Sequence, residues 1–499
     1  MAELVLVLVM TVGLLATLGP LASNRFHRDE AIYSSWGLDI ASGRDLLISG
    51  SPVDKPPLFL YAQALSFLLF GPTELAARLP SLIAGVLSVG LMYAIGESVY
   101  GRGVGLLGAC LLAASPYTIL FASTAFTDSM MVGWVLAGCL ATVQGYWGWG
   151  GIFLGLAAIT KQQGAFFVPL ALAMGQLSIR SPANQRTAKA MPPMVSFGVA
   201  FLFVFGLALG WDVARAREPG FLAQSLASYG GLPLSLAAVQ ERLLGFVDLL
   251  GYGTGSRVLN TVLLAGLPLI FMADIHLLLA RSGISPGGLG EADTRSQARA
   301  DLILMAFIVL FLAGHSLVSF AVWDRYLLGL IPCLALLLAR VLTLPQRLIR
   351  LSSAANLLCL LFILCMLAFT LRPIRDASAS RFPIGGDHGA YQGIQQVVSY
   401  LQSVPANTSL YHRWLGWHWR FYLWGSPYDL RAWTSPADLA AQAAARPRAE
   451  RYIVFPSWHS STEARIALSE AGLTLREVQR AFRDDGSISF IVYRIEEAP

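Results

Sequence analysis

Charge is what this sequence has least of. Only 13% of its 499 residues are Asp, Glu, Lys or Arg, about half the roughly 25% of an ordinary soluble domain. Lysine is nearly missing: Lys55, Lys161 and Lys189 are all there is. Cysteine is equally sparse. Cys110, Cys139, Cys333, Cys359 and Cys365 fall inside apolar runs, and no two form a CxxC pair. That pattern excludes a disulfide-stapled secreted domain and gives no zinc signal. No HExxH, GxSxG, GxxxxGK[ST] or GxGxxG stands in a fitting context, so nucleotide-driven chemistry on this chain is not expected. Internal repeats and low-complexity tracts are also missing, and Gly and Pro show no collagen-like period.

What is present is apolar. Hydrophobic residues make up 55% of the chain, and the mean hydropathy is +0.60. Neither a water-soluble enzyme nor a disordered protein is expected from that composition. The net charge of +5 comes mostly from arginine. Because the arginines are scattered between apolar runs, a membrane protein with basic loops explains them better than a nucleic-acid partner.

About eleven stretches approach the spanning length of about 20 residues: 4–22, 76–96, 104–121, 129–147, 150–160, 164–179, 192–212, 258–280, 301–320, 326–344 and 351–371. The segment 57–70 is shorter and follows two prolines, so it is expected to lie at the membrane surface. The first stretch lacks a basic leader and reads as a retained span. The positive-inside rule sets the orientation. Arg102, then Arg180, Arg186 and Lys189, then Arg281, Arg295 and Arg299, then Arg347 and Arg350 mark inner loops. The loop 23–75 and everything after 372 are then outside. The expected fold is a polytopic α-helical bundle, residues 1–375, followed by a small α/β extracytoplasmic domain, residues 376–499. That tail has strand-like runs at Thr408–Tyr411, Arg451–Phe455 and Ile488–Tyr493 between helix-like stretches.

Several residues could carry chemistry. The first outer loop opens with His27-Arg28-Asp29-Glu30 and continues to Asp54-Lys55-Pro56-Pro57. The prolines fix the backbone direction there, and a lysine is a point-charge partner for phosphate. Loops after helices commonly carry a few charges without function. Asp128, in Thr127-Asp128-Ser129, could act at a site or merely cap the next helix. Arg325, in Trp323-Asp324-Arg325-Tyr326, could hold a phosphate or pair with Asp324. Lys161 falls at another outer edge. His315 reads as a packing histidine. The aromatic run Tyr411–Tyr422 could stack on sugar rings, or form the core and membrane-facing edge of the small domain.

Taken together, these segments resemble glycosyltransferase family 39, which contains protein O-mannosyltransferases and lipid A aminoarabinose transferases. The resemblance rests on Asp29-Glu30, Ser42-Gly43-Arg44, Asp54-Lys55-Pro56-Pro57-Leu58 and Glu74-Leu75-Ala76-Ala77-Arg78-Leu79-Pro80. It continues through Gly101-Arg102-Gly103-Val104-Gly105, Ser115-Pro116, Thr127-Asp128-Ser129, Thr160-Lys161 and Arg325-Tyr326-Leu327. It is clearest over residues 24–175. It implies a GT-C bundle with an outward-facing site and a polyprenyl-phosphate sugar as donor. It also implies a catalytic carboxylate at Asp29. Asp54 stands where aminoarabinose transferases tend to carry Glu, and Thr160-Lys161-Gln162-Gln163 replaces Thr-Lys-Gly, so the sugar and the acceptor stay open between lipid, glycan and protein.

On this reading Asp29 is the general base, and the transfer inverts the anomeric centre. Lys55, Arg325 and Lys161 stabilise the leaving phosphate, Asp128 orients the acceptor or a sugar hydroxyl, and Glu30 binds the sugar or hydrates the loop. No cofactor is expected with certainty; a divalent metal on Asp29, Asp54 or Asp128 is left open, with Asp54 its tentative ligand. The rival class is a transporter or flippase of a lipid-linked or polar substrate.

Overall fold

The computed structural model describes residues 2–179, 191–229, 235–279, 291–318, 321–348, 352–446 and 449–498. Arg180, Arg186, Lys189, Arg281 and Arg350, used above for orientation, lie outside the described residues.

Up to Ser378 the chain is helical. Among the described residues, 7 helices are long and apolar enough to cross a bilayer: Ala2–Ser23, Glu74–Tyr100, Pro193–Ala214, Arg257–Leu279, Asp293–Leu317, Asp324–Leu342 and Ser353–Ser378. Arg102–Ala113 and Pro116–Ala122 make an eighth if taken as one span bent by 58°. The bend falls at Ser115-Pro116, where the proline ring cannot continue the preceding helix. The expected stretches 129–147, 150–160 and 164–179 are helical but short, as Asp128–Val143, Trp147–Thr160 and Val168–Ile179. Gly145 turns the chain at φ 85°, and Lys161 ends its helix in an extended conformation. Among the described residues, length and composition thus single out 7 or 8 spans, and the expected count of about eleven includes these shorter helices.

The helix surfaces show why the chain needs lipid. In Ser353–Ala368 no residue is buried, and Leu357, Leu358, Leu361 and Leu364 are all more than half exposed. Water would penalise that surface, whereas hydrocarbon does not. Small residues let other helices approach closely. A Cβ on Gly96 would stand 2.5 Å from the Gly105 Cα, so only glycine permits the contact between Glu74–Tyr100 and Arg102–Ala113. This gives the Gly101–Gly105 motif a packing role: Gly101, at φ 95°, makes the turn and Gly105 the contact.

Beyond Ser378 the chain forms a five-stranded mixed sheet. Its strands are β1 (Thr408–His412), β2 (Asp429–Ala432), β3 (Glu450–Pro456), β4 (Leu473–Phe482) and β5 (Ile488–Glu497), in the order β2-β1-β3-β5-β4. β1 pairs in parallel with β2 and β3; β5 is antiparallel to β3 and β4. Alternate residues serve opposite faces. Ile453, Phe455 and Tyr493 pack under the helices Pro436–Ala444 and Thr462–Glu470. Tyr452, Val454 and Val492 pack against Ile394, Val397 and Trp419 on the other side. The three strand-like runs expected from sequence are β1, β3 and β5. β2 and β4 were not foreseen: β2 has only four half-covered or exposed residues, and β4 carries Arg476, Glu477, Gln479 and Arg480 in its middle.

Candidate active site

Residues far apart in sequence meet where the segment 23–75 packs against the helix breaks. His27 starts the helix Arg28–Ala41. Its Nδ1 accepts the Asp29 N–H, and its own N–H is accepted by Glu30, which closes a reciprocal cap. This fixes two adjacent carboxylates in opposite roles. Asp29 keeps a side chain 25% exposed and takes the Arg325 Nη1–H at 2.6 Å. Burial alone would raise its pKa, but Arg325, His27 and Lys55 hold it below the usual carboxylate value.

Glu30 is wholly buried. Its Oε1 accepts from Arg78 Nε at 3.1 Å and from the Ala125 N–H at 2.7 Å. Arg78, fully buried as well, also donates to the Asn24 carbonyl at 3.0 Å. Glu30 therefore neither hydrates the loop nor reaches a sugar: it clamps three segments together. The Glu74–Pro80 motif acts through the same clamp, since Glu74 takes Arg25 at 3.1 Å and Arg78 at 3.5 Å.

Asp54 and Lys55 form an ion pair with Asp54 the more accessible partner. The Gln162 amide donates to the Asp54 carbonyl at 2.7 Å, tying this loop to the break after Thr160. At that break Lys161 pairs with Asp128 and lies 4.7 Å from the Tyr326 ring centre. Burial lowers the Lys161 pKa to about 8; the Arg325 and Lys55 charges push the same way, and Asp128 opposes them. Asp128 is not a cap. Thr127 holds that position, without a side-chain capping bond, and Asp128 is the first helical residue, with its carboxylate on Lys161.

Arg325 is the hub. Besides Asp29, its guanidinium lies over Phe126 at 5.4 Å and Trp323 at 5.5 Å. Its Nε is buried and has no hydrogen-bond partner, an open donor in a polar cluster. Asp324 does not pair with the Arg325 side chain. It accepts the Arg325 backbone N–H at 2.7 Å and the Gly385 N–H at 2.7 Å, which joins the helical part to the tail. Gln163 reaches the Tyr326 carbonyl at 3.0 Å and His315 at 2.9 Å. His315 is buried and stacks on Phe311 at 4.0 Å, a packing histidine as expected.

Asp29, Lys55, Asp128, Lys161 and Arg325 are thus drawn together, whereas Glu30 is not part of the open cluster. Gln162 and Gln163 stood out in the sequence only as a departure from Thr-Lys-Gly, not as site residues. Among the described residues no three His, Cys, Asp or Glu side chains gather as a metal site. Asp29, Asp54 and Asp128 are each neutralised by a cation, so these residues do not fit the divalent metal left open above.

An apolar groove of about 570 Å³ runs between the helices Leu58–Phe70, Glu74–Tyr100 and Asp128–Val143. Leu65, Leu69 and Phe70 of the helix Leu58–Phe70 form one wall, and Ile83, Leu87 and Gly133 are on the others. Met130 also lines it, two residues beyond Asp128.

Residues 54–211 match the family described as dolichyl-phosphate-mannose-protein mannosyltransferase. Two provisionally named mannosyltransferases of Bacillus subtilis are similar. YycA is 29% identical over 170 residues, 32% of this chain and 24% of that protein. YkcB is 33% identical over 84 residues, 17% of this chain and 12% of that protein. The matched stretch therefore spans a quarter or less of those relatives. In structure, ArnT of Cupriavidus metallidurans bound to undecaprenyl phosphate gives a TM-score of 0.62 at 16% identity, covering 98% of this chain and 97% of that one. The apo Archaeoglobus fulgidus oligosaccharyltransferase gives 0.51 at 12% identity, covering 98% and 74%. This chain is a multi-pass membrane protein of the GT-C glycosyltransferase fold, and its residues 54–211 match the mannosyltransferase family.

Proposed function

We propose that this protein transfers a sugar from a polyprenyl-phosphate donor to a hydroxyl-bearing acceptor, with inversion, at the extracytoplasmic face of the membrane. One observation carries the reading: a partly accessible carboxylate, Asp29, meets the cations Arg325, Lys55 and Lys161; the helix that starts at Asp128 also lines, through Met130 and Gly133, an apolar groove suited to a lipid chain. The mannosyltransferase match and the undecaprenyl phosphate bound by ArnT support the donor class.

In the proposed step the acceptor oxygen attacks the anomeric carbon while the bond from that carbon to the phosphate oxygen breaks. Asp29 takes the hydroxyl proton, which becomes acidic only as the new bond forms. Polyprenyl phosphate leaves with the bonding electrons, and fixed positive charge offsets the growing negative charge on its oxygen. Arg325 is suited to this through its open Nε, and Lys55 and Lys161 add point charges. Asp128 holds Lys161 in place and so acts through it. Asp54 does the same for Lys55. The test is transfer from radiolabelled polyprenyl-phosphate sugars by the purified protein in lipid. Movement of intact lipid between leaflets without transfer would turn the reading to a flippase.

Two further outcomes are expected. Lys161 loses its proton as pH passes about 8, and only the ammonium form attracts phosphate. The donor KM should therefore rise above pH 8, by at most about tenfold per pH unit, and Lys161→Arg should move that limb to higher pH. Steady-state kinetics between pH 6.5 and 9.5 would check it; a flat profile would count against Lys161. In the groove, a Cβ on Gly133 meets the Ala84 Cβ at 3.4 Å, so a first carbon is tolerated and a longer side chain protrudes. Gly133→Leu should raise the KM for a long polyprenyl donor several-fold more than for a short-chain analogue, at about 0.8 kcal/mol per buried CH₂ displaced.

A further inference from the structure

A second cavity, of about 650 Å³, lies between the first outer loop and the tail. Its charged wall is made by Arg28, Arg44, Arg413 and Arg420, and no Asp or Glu lines it. Among the described residues only Arg420 of these four has an ion pair, with Asp39 at 3.0 Å. Aromatic rings alternate with the guanidinium groups. Arg44 lies over Trp424 at 4.1 Å, Arg420 over Trp417 at 4.8 Å and Arg413 over Trp414 at 5.5 Å. Stacking leaves the edge N–H groups of an arginine free to meet an anion in its plane. Trp419, also in the wall, is fully buried, and its Nε1–H has no acceptor.

The aromatic run of the tail therefore divides. Tyr411 and Trp419 are buried packing residues, while Trp414, Trp417 and Trp424 face the cavity partly open. The cavity is also fixed to the loop that holds the carboxylate. Trp417 packs on Trp36 at 5.9 Å, and its carbonyl accepts from Ser35 at 3.2 Å. His418 bonds the Phe26 carbonyl at 3.0 Å. Arg28 lines the cavity, and the next residue, Asp29, faces Arg325.

We propose that this cleft is the acceptor subsite and that it takes an acidic saccharide. The apolar faces of sugar rings lie on Trp417 and Trp424, and phosphate or carboxylate groups meet Arg44 and Arg413. The inference deepens the transferase reading and rests on it for the word acceptor; binding in the cleft can be measured without the reaction. It also accounts for the Ser42-Gly43-Arg44 motif, whose arginine reaches across from the loop to the tail.

The test uses the full chain in neutral-lipid nanodiscs, without donor, and follows tryptophan fluorescence. Tetragalacturonic acid and a phosphorylated mannose oligosaccharide are titrated, with maltotetraose as the neutral control. Saturable binding of at least one acidic saccharide, and about tenfold weaker binding or none for maltotetraose, is expected. Arg44→Gln with Arg413→Gln should weaken the acidic ligand by about tenfold or more. Both residues are exposed, so the folded protein should survive, which circular dichroism and thermal unfolding confirm; Trp424→Leu serves as the second variant. Which acidic oligosaccharide binds separates carboxylate from phosphate recognition. Equal binding of neutral and acidic saccharides, unchanged affinity in the variants, or full competition by anionic-lipid vesicles would overturn the proposal. Acidic binding that the variants lose, without transfer from any donor, would keep the cleft and sink the transferase reading. Transfer to neutral acceptors only would do the reverse.

Discussion

Replacing Asp29 by Asn is expected to lower transfer by about 10²–10⁴-fold, the range for loss of a positioned general base. The folded protein should remain in the membrane. The reason lies in the geometry. Asn keeps the length of the side chain and an oxygen for the Arg325 Nη1–H that now sits at 2.6 Å. Its backbone N–H still reaches His27. What it loses is the charge and the ability to take a proton. Asp29 is held below the usual carboxylate value against the pull of burial, so the wild type keeps its base ionised throughout the neutral range. On the acid side, activity should fall only as the pH drops through that lowered pKa, separately from the alkaline limb set by Lys161. The expected signature is a fall in kcat with a smaller change in donor KM, since Arg325, Lys55 and Lys161 are left in place. A mutant within a few-fold of wild type would falsify the assignment.

The second large effect is on stability, one residue away. Glu30→Ala should remove about 3 kcal/mol, because it takes the nearest carboxylate from a fully buried Arg78 and leaves only Glu74 at 3.5 Å to balance its charge. Both side chains are fully buried, and the Ala125 N–H loses its acceptor as well. The outcome to measure is the yield of monodisperse protein after extraction and its thermal unfolding midpoint. Glu30→Gln should be milder, since the amide oxygen can still accept from Ala125. Normal yield and stability for Glu30→Ala, with only activity lost, would return Glu30 to a role at the substrate. The adjacent pair thus makes a sharp comparison: one substitution removes function and keeps the fold, and the other does the opposite.

Much of this was legible in the sequence for a simple reason. A bilayer imposes its requirement on long stretches of chain, so hydropathy reports it directly. The helical part and the change of character in the tail follow from runs of residues; the bend at Ser115-Pro116, inside the expected stretch 104–121, was not foreseen. β1, β3 and β5 were visible because they are apolar and central; β2 and β4 were not, being short or polar along one side. The span count was less secure, because the test is length. Asp128–Val143 and Trp147–Thr160 are apolar yet cut short by Gly145 and Lys161.

The sequence by itself determined that this is a membrane protein with few charges in its helical part and a more polar tail. It also set Asp29, Lys55, Asp128, Lys161 and Arg325 apart, because in so apolar a chain each ionised group is costly and must be held by something. Only the tertiary structure decided what holds each one. Nothing in the run Asp29-Glu30 says which carboxylate faces outward. That follows from the helix start at His27, which turns Asp29 toward Arg325, 296 residues away, and Glu30 toward Arg78, 48 residues away. Pairings at such separations depend on how the helices pack, and packing is a property of the whole chain.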